Sequence, residues 1–244
     1  MTTPEAISRE LAPTGVLRAA LNMGNPVLAS SNTSAESPAG VTVDLSRAFA
    51  SRLSAKVVLS LHKTAADARL AVANGEADIG FMAIDAERAA GIHFTEAYVE
   101  ITGSYVVPVT SPIRSNDEVD RPGHDVVVGG QSAYDLFLTR ELRHAKLVRV
   151  PLSEQVVQEM VQRGHAVGAG VRQQLESAVL NHPDTRILDG GFMVIRQAVI
   201  TPSSRSMAAK DTLDAFVKWA RSSGFVADSL KRHGIAGAQI PSPT

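Results

Sequence analysis

Cysteine is absent from all 244 residues, which excludes disulfides, thiolate metal ligands and cysteine nucleophiles at once. An excess of one charge is lacking too. The 24 basic and 25 acidic residues are dispersed along the chain and leave a net charge of −1. A nucleic-acid binder needs a basic stripe that this chain does not have, and an anionic membrane finds no handle on it. No stretch approaches the roughly 18 consecutive apolar residues of a transmembrane helix, so direct membrane insertion is not expected. The start, Met-Thr-Thr-Pro-Glu-Ala-Ile-Ser-Arg-Glu-Leu, has no basic start followed by an apolar run, so it does not read as a secretory signal. As written, the sequence reads as cytoplasmic; a chain trimmed of its signal would look the same and would be periplasmic. The seven histidines are scattered singly, whereas helical zinc sites need pairs on one face, so neither a metal nor any other cofactor is expected.

What is present is an ordinary globular composition, 44% hydrophobic and 20% charged, enough for one large core or two modest ones, with two lobes as the expectation. Strand and helix patterns alternate. Strands are predicted at 16–21, 57–61 and 79–82, with helices at 44–53, capped by Asp44, and 64–74, capped by Thr64 and stopped at Asn74-Gly75. An apolar strand at 104–110 runs into Ser-Pro-Ile-Arg-Ser-Asn-Asp-Glu, a turn-rich break and candidate lobe boundary. Beyond it, strands at 125–128, 147–150 and 166–168 alternate with helices at 132–143, 153–163 and 172–180. An apolar run at 192–200 and helices at 204–222 and 225–233 complete the pattern, and the tail from Ala236 is expected to fray. Such alternation argues for mostly parallel sheets with crossover helices.

The most informative stretch is Gly75 to Tyr98. A short apolar strand there runs into a polar loop and one turn of helix carrying Arg88, then returns through a short strand at 92–94. Loops at the ends of buried strands are where α/β proteins hold ligands, and arginine offers a permanently charged planar fork that suits a carboxylate. The alternative is a surface pairing of Arg88 with Asp85 or Glu96.

Taken together, Gly40-Val-Thr-Val-Asp-Leu45, Ala-Asn-Gly-Glu-Ala-Asp78, Glu87-Arg88, Phe94-Thr-Glu-Ala-Tyr98, Val-Val-Val-Gly-Gly-Gln-Ser132 and Trp219 to Phe225 resemble the type II periplasmic-binding-protein fold. The likeness is to solute-binding proteins of the polar amino acid ABC transport class, and it spans roughly residues 13 to 234. It implies two α/β lobes, each a mixed, mostly parallel sheet flanked by helices, joined by two crossing strands that act as a hinge. The first lobe would hold residues 1–107 and 197–244, and the second 108–196, with a ligand clamped between them. It also implies a non-catalytic monomer that binds a small molecule and is partnered by an ABC transporter permease.

The resemblance places the ligand's α-carboxylate on Arg88. The family tends to carry a threonine five residues before that arginine and a glycine two before the threonine; here they are Ala83 and Phe81, so a hydroxyl contact is missing. A second anion contact would come from Gln131, Ser132 and Ala133, where a glycine-rich turn opens a helix. The structural alternative there is an ordinary cap by Ser132 with Asp135 completing a capping box. Asn22 and Asn25, after the first strand, are candidates for hydrogen bonds to a polar ligand, with turn formation as the alternative. Gln197 and Tyr98 are weaker candidates.

The main departure follows the strand at 166–168. Amino-acid binders of this family carry an aspartate there for the ligand's α-ammonium, and this chain has Gly170, with Arg172 two residues on. A buried ammonium without an anionic partner is costly, so the expected ligand is an anionic organic molecule lacking it, such as a dicarboxylate or an aromatic acid, gripped by Arg88 and Arg172. The alternative leaves Arg172 on a helix surface. Three other functions stay open. A serine hydrolase would use Ser132 in Gly130-Gln-Ser-Ala-Tyr134 with His165, His182 or His233 as base. A cyclohexadienyl-dehydratase-like enzyme would need a cleft acid such as Asp85 or Glu96. A cytoplasmic ligand sensor would need a partner protein.

Overall fold

The computed structural model describes residues 3–31 and 37–242. In chain order the elements are α1 (Pro4–Leu11), β1 (Val16–Asn22), β2 (Ser30–Ser31), β3 (Pro38–Ala39), α2 (Val41–Arg52), β4 (Lys56–His62), α3 (Ala65–Ala73), β5 (Ile79–Ala83) and β6 (Ile92–Pro108). After them come β7 (Asp125–Gly129), α4 (Ala133–Glu141), β8 (Lys146–Val150), α5 (Val156–Arg163), β9 (Val167–Val171), α6 (Arg172–Val179), β10 (Thr185–Ile187), β11 (Met193–Pro202), α7 (Met207–Ser222) and α8 (Phe225–Arg232). The chain forms two compact units, one made of the residues through Glu100 with those from Arg196 onward, the other of Ile101–Ile195. It is a mixed α/β fold whose sheets are mostly parallel and flanked by helices.

In the first unit β1 runs parallel to β4 on one side and to β5 on the other, and β11 lies antiparallel to β5 with Gln197 opposite Ala83. All five residues of β5 are buried, as a central parallel strand covered on both faces should be. Helix α3 begins at Thr64, whose hydroxyl accepts the Asp67 N–H at 3.1 Å, and packs Ala68, Ala71 and Val72 over Ala20, Met82 and Ile200. In the second unit β7 runs parallel to β8 and β9, and the later part of β6 pairs antiparallel with β9 and β10. Its core joins Val106, Val127, Val156, Met160 and Leu175. Full burial of each such aliphatic side chain contributes about 1.5–3 kcal/mol.

Several local expectations change. The strands expected at 92–94 and 104–110 are one 17-residue strand, β6, whose intervening residues, with Ala97, Tyr98, Val99 and Ile101 buried, continue the strand without a break. Helix α2 starts three residues before Asp44, with Gly40 as its N-cap at φ 131°, so Asp44 is not a cap. Its carboxylate instead receives Ser229 Oγ at 2.6 Å and Arg232 Nη1 at 2.6 Å, with His233 Nε2 at 2.9 Å, and ties the end of α8 to the first turn of α2. A helix that the hydrophobic pattern did not announce, α1, is capped by Thr3 with Pro4 at its first position. The tail does not fray up to Ser242: Gln239 pairs with Glu100, and Arg221 donates to the Pro241 and Ser242 carbonyls.

One carboxylate organises the strands that lead to Arg88. Asp78 is fully buried at the entrance to β5 and accepts from Arg18 N (2.9 Å), Arg18 Nε (3.0 Å), Arg18 Nη2 (2.8 Å) and Arg205 Nη2 (2.8 Å). Its backbone carbonyl takes the Thr201 hydroxyl at 2.9 Å. This locks the start of β5 to β1 and to the end of β11.

Candidate functional site

In the first unit the candidate residues collect beyond the carboxyl ends of β1 and β5, where open parallel sheets present their ligand loops. Arg88 ends a 3-10 turn at Ala86–Arg88, opened by Asp85, whose Oδ1 accepts the Glu87 N–H at 2.9 Å. At 6% exposure Arg88 is buried, which a solvated surface arginine is not. Ala83 closes β5 at 3% exposure and offers only a methyl group. Asn22 ends β1, and its Oδ1 is spent on the Gly24 N–H at 3.0 Å, a turn-forming role. Asn25 is 7% exposed; its backbone carbonyl holds the Leu28 and Ala29 N–H groups, and its Oδ1 is buried without a hydrogen-bond partner among the described residues.

Tyr98 and Phe81 belong to the core. They meet edge to face, ring centroids 6.0 Å apart at 90°, and Tyr98 is wholly buried, which pushes its phenol far up. The position where the resemblance expects glycine is therefore filled by a packing aromatic. Glu96 pairs with Arg221 across to α7.

In the second unit the turn after β7 is built in detail. Gln131 adopts φ 58°, a left-handed conformation unusual for a residue with a side chain. Its N–H donates to Asp135 Oδ2 at 2.8 Å. Ser132 caps α4, its Oγ accepting the Asp135 N–H at 3.0 Å, while its own N–H goes to Gly129 O at 3.2 Å. The expected capping box is thus shifted by one residue: Asp135 reaches back to Gln131 rather than to Ser132. The N–H groups of Ala133 and Tyr134 have no acceptor among the described residues, and they are the groups a helix start presents to an anion.

Two supports of this turn were not anticipated. Arg149 Nε lies 2.9 and 3.1 Å from the two Asp135 oxygens, which pairs a carboxylate that would otherwise set a negative charge beside the helix start. The buried Tyr134 hydroxyl donates to Ser153 Oγ at 2.7 Å, and burial raises its pKa although the contacts with Ser153, Ser132 and Gly129 pull it back. Gly129 is required by close approach, since a Cβ there would sit 2.6 Å from Ser153 Oγ. Arg149 lies on the partner strand of β7, sixteen and more residues from the turn, so no local pattern marks it.

Arg172 is the first residue of α6. Its Nε donates to Glu176 Oε1 at 3.0 Å and its Nη1 to Gly190 O at 3.1 Å. A cation at a helix start opposes the helix dipole, and Glu176 one turn on offsets it. Gly170, on β9, lies opposite Ser104 of β6, and the nearest atoms to a Cβ there would be those of the Leu175 side chain, at 3.2–3.9 Å. Of the three histidines considered as a base for Ser132, His165 pairs with Asp125 at the opposite end of β7, His233 lies on Asp44 in the other unit, and the His182 carbonyl holds the Thr185 hydroxyl. Among the described residues no group of three acidic or histidine side chains is placed to hold a metal, and no helix is long and apolar enough to cross a membrane.

Residues 17–234 match the sequence profile of bacterial extracellular solute-binding proteins, family 3. No curated protein matches the chain by sequence. Among solved structures, a binding component of an ABC transporter from Wolinella succinogenes, complexed with lysine, superposes with a TM-score of 0.77 at 18% identity, over 90% of this chain and 95% of its own. An amino acid ABC transporter substrate-binding protein from Streptococcus pneumoniae, bound to L-arginine, gives 0.76 at 18% identity, over 90% and 94%. An ancestral amino acid-binding protein described as a precursor of cyclohexadienyl dehydratase gives 0.76 at 17% identity, over 92% and 98%.

Proposed function

The chain belongs to the bacterial extracellular solute-binding proteins of family 3, and on that premise we propose that it binds a small organic anion through a carboxylate, for delivery to an ABC transporter permease. The observation that carries this reading is the buried arginine, Arg88, on the loop beyond β5. A charge-assisted contact from such a fork contributes about 1.5–3 kcal/mol. The start of α4, with the Ala133 and Tyr134 N–H groups and the Ser132 hydroxyl, supplies a further contact for an anionic oxygen. Arg172 is a lesser candidate than its charge suggests, because its guanidinium already serves Glu176 and Gly190.

The ligands of the solved neighbours, lysine and L-arginine, share a carboxylate with the proposed ligand and differ from it in carrying an α-ammonium. Gly170 supports that difference. No carboxylate stands at the position where the family's amino-acid binders place one, and an unpartnered ammonium would pay several kcal/mol for desolvation. A dicarboxylate or an aromatic acid fits better.

Isothermal titration tests the reading with succinate, glutarate and benzoate set against L-lysine, L-arginine and L-glutamate. We expect one or more of the simple carboxylates to bind, and Arg88→Gln to weaken that binding about 10- to 150-fold. Micromolar binding of a zwitterionic amino acid, with none of the simple acids bound, would refute the ligand class. An unchanged affinity in Arg88→Gln would refute the role of Arg88.

A further inference from the structure

The C-terminal segment, Ala236 to Ser242, carries mostly small side chains that offer little surface to hold it, yet it is held. Its backbone exchanges two hydrogen bonds with β6, Glu100 N to Gln239 O at 2.7 Å and Gln239 N to Glu100 O at 2.8 Å. Two residues on, Arg221 Nη2 donates to the carbonyls of Pro241 and Ser242, both at 2.9 Å, while its Nη1 pairs with Glu96, also on β6. The Arg221 side chain is 8% exposed, so this fork is buried and its planar geometry is used on several acceptors at once. Ordering each tail residue costs about 1 kcal/mol of backbone entropy, so a segment held in this way is held by these specific contacts.

The place where the tail attaches gives it meaning. Glu100 is the last residue of the first unit on β6, and Arg196 is the residue at which β11 re-enters that unit. The two are joined side chain to side chain, Arg196 Nε to Glu100 Oε1 at 3.2 Å. Both passages of the chain between the units are thus tied to each other at these residues, and the tail is tied to one of them through its backbone.

We propose that residues 236–242 form a strap that stiffens β6 and β11 where the chain passes between its two units, and that this strap slows ligand release. The second half of the proposal rests on the solute-binding reading; the first does not. Proline at 239 would remove the N–H that bonds Glu100 O, and a chain ended after Ala238 would remove the strap's anchor altogether.

The experiment compares amide hydrogen exchange in the full-length protein, in Gln239→Pro and in the chain ended after Ala238, over peptides covering 97–104 in β6 and 193–199 in β11. Exchange over both peptides should accelerate about tenfold in both variants, while β7 in the second unit is unchanged. Unchanged exchange over 97–104 and 193–199 overturns the strap. Stopped-flow dissociation of whichever of succinate, glutarate or benzoate binds should accelerate in the same variants. An unchanged release rate beside accelerated exchange overturns the link to ligand release. If none of these acids binds, the solute-binding reading fails by itself, and the exchange result still decides the strap.

Discussion

Replacing Asp78 with alanine should lower the thermal unfolding midpoint by about 6–16 °C, a value that follows from what the carboxylate holds. It is fully buried and accepts four N–H groups, three from Arg18 and one from Arg205. Breaking a buried pair by removing one partner costs about 3–5 kcal/mol, because the other charge is left uncompensated. The two arginines do not share that cost equally. The Arg18 side chain is 40% exposed and can recover water, so its ion pair is discounted, whereas Arg205 is 15% exposed and cannot. The Arg18 backbone N–H also loses its acceptor, which adds about 1 kcal/mol. With the exposed Arg18 half discounted, the pair costs about 2–3 kcal/mol, so the sum is about 3–4 kcal/mol, and a chain of this size loses about 2–4 °C per kcal/mol. Differential scanning calorimetry of Asp78→Ala, Arg205→Met and Arg18→Met provides the test. A midpoint for Asp78→Ala within 3 °C of the unmodified protein, or a larger loss in Arg18→Met than in Arg205→Met, would refute the reasoning. Because Asp78 precedes β5, which leads to Arg88, weaker ligand binding should accompany the lost stability.

Two further outcomes are expected. Burial alone would raise the Asp120 carboxyl, but the N–H groups of Ala145, Arg143 and His144, at 2.8–2.9 Å, outweigh it and hold the pKa below the ordinary value near 3.9. A lowered folded-state pKa stabilises the protein above about pH 4, and that contribution is lost as pH falls through the folded value. Asp120→Asn should therefore show a shallower fall in urea midpoint between pH 5 and pH 2, and parallel curves would contradict it. Gly170→Asp asks only that Leu175 shift by a few tenths of an ångström to admit the new Cβ, and it should confer binding of a zwitterionic amino acid at least about tenfold tighter than the unmodified protein shows. Titration with L-lysine and L-arginine that detects no gain would mean that position 170 does not decide the exclusion of the ammonium.

Local signals were legible in the chain by itself. Thr64 and Ser132 each accept an N–H three residues on, so their capping is written within one turn. The apolar run of β5, the position of Arg88 beyond it and the alternation that produces parallel sheets with crossover helices are likewise short-range patterns. The order of these pieces was enough to indicate the family. The tertiary structure decided which polar groups have partners. Asp44 reads as a cap, yet its partners lie 185 to 189 residues away. Asp135 reads as half of a capping box, but Arg149 on the next strand neutralises it. Tyr98 reads as a weaker candidate at a ligand loop, and its edge-to-face packing with Phe81 takes it into the core. The tail reads as frayed because nothing within it holds it, and Glu100 and Arg221, more than 130 and about 20 residues earlier, do. Periodicity and capping act over one or two turns of chain, so the sequence determines the elements. Pairing of buried charges and of backbone edges depends on which elements meet, and only the folded chain brings those together.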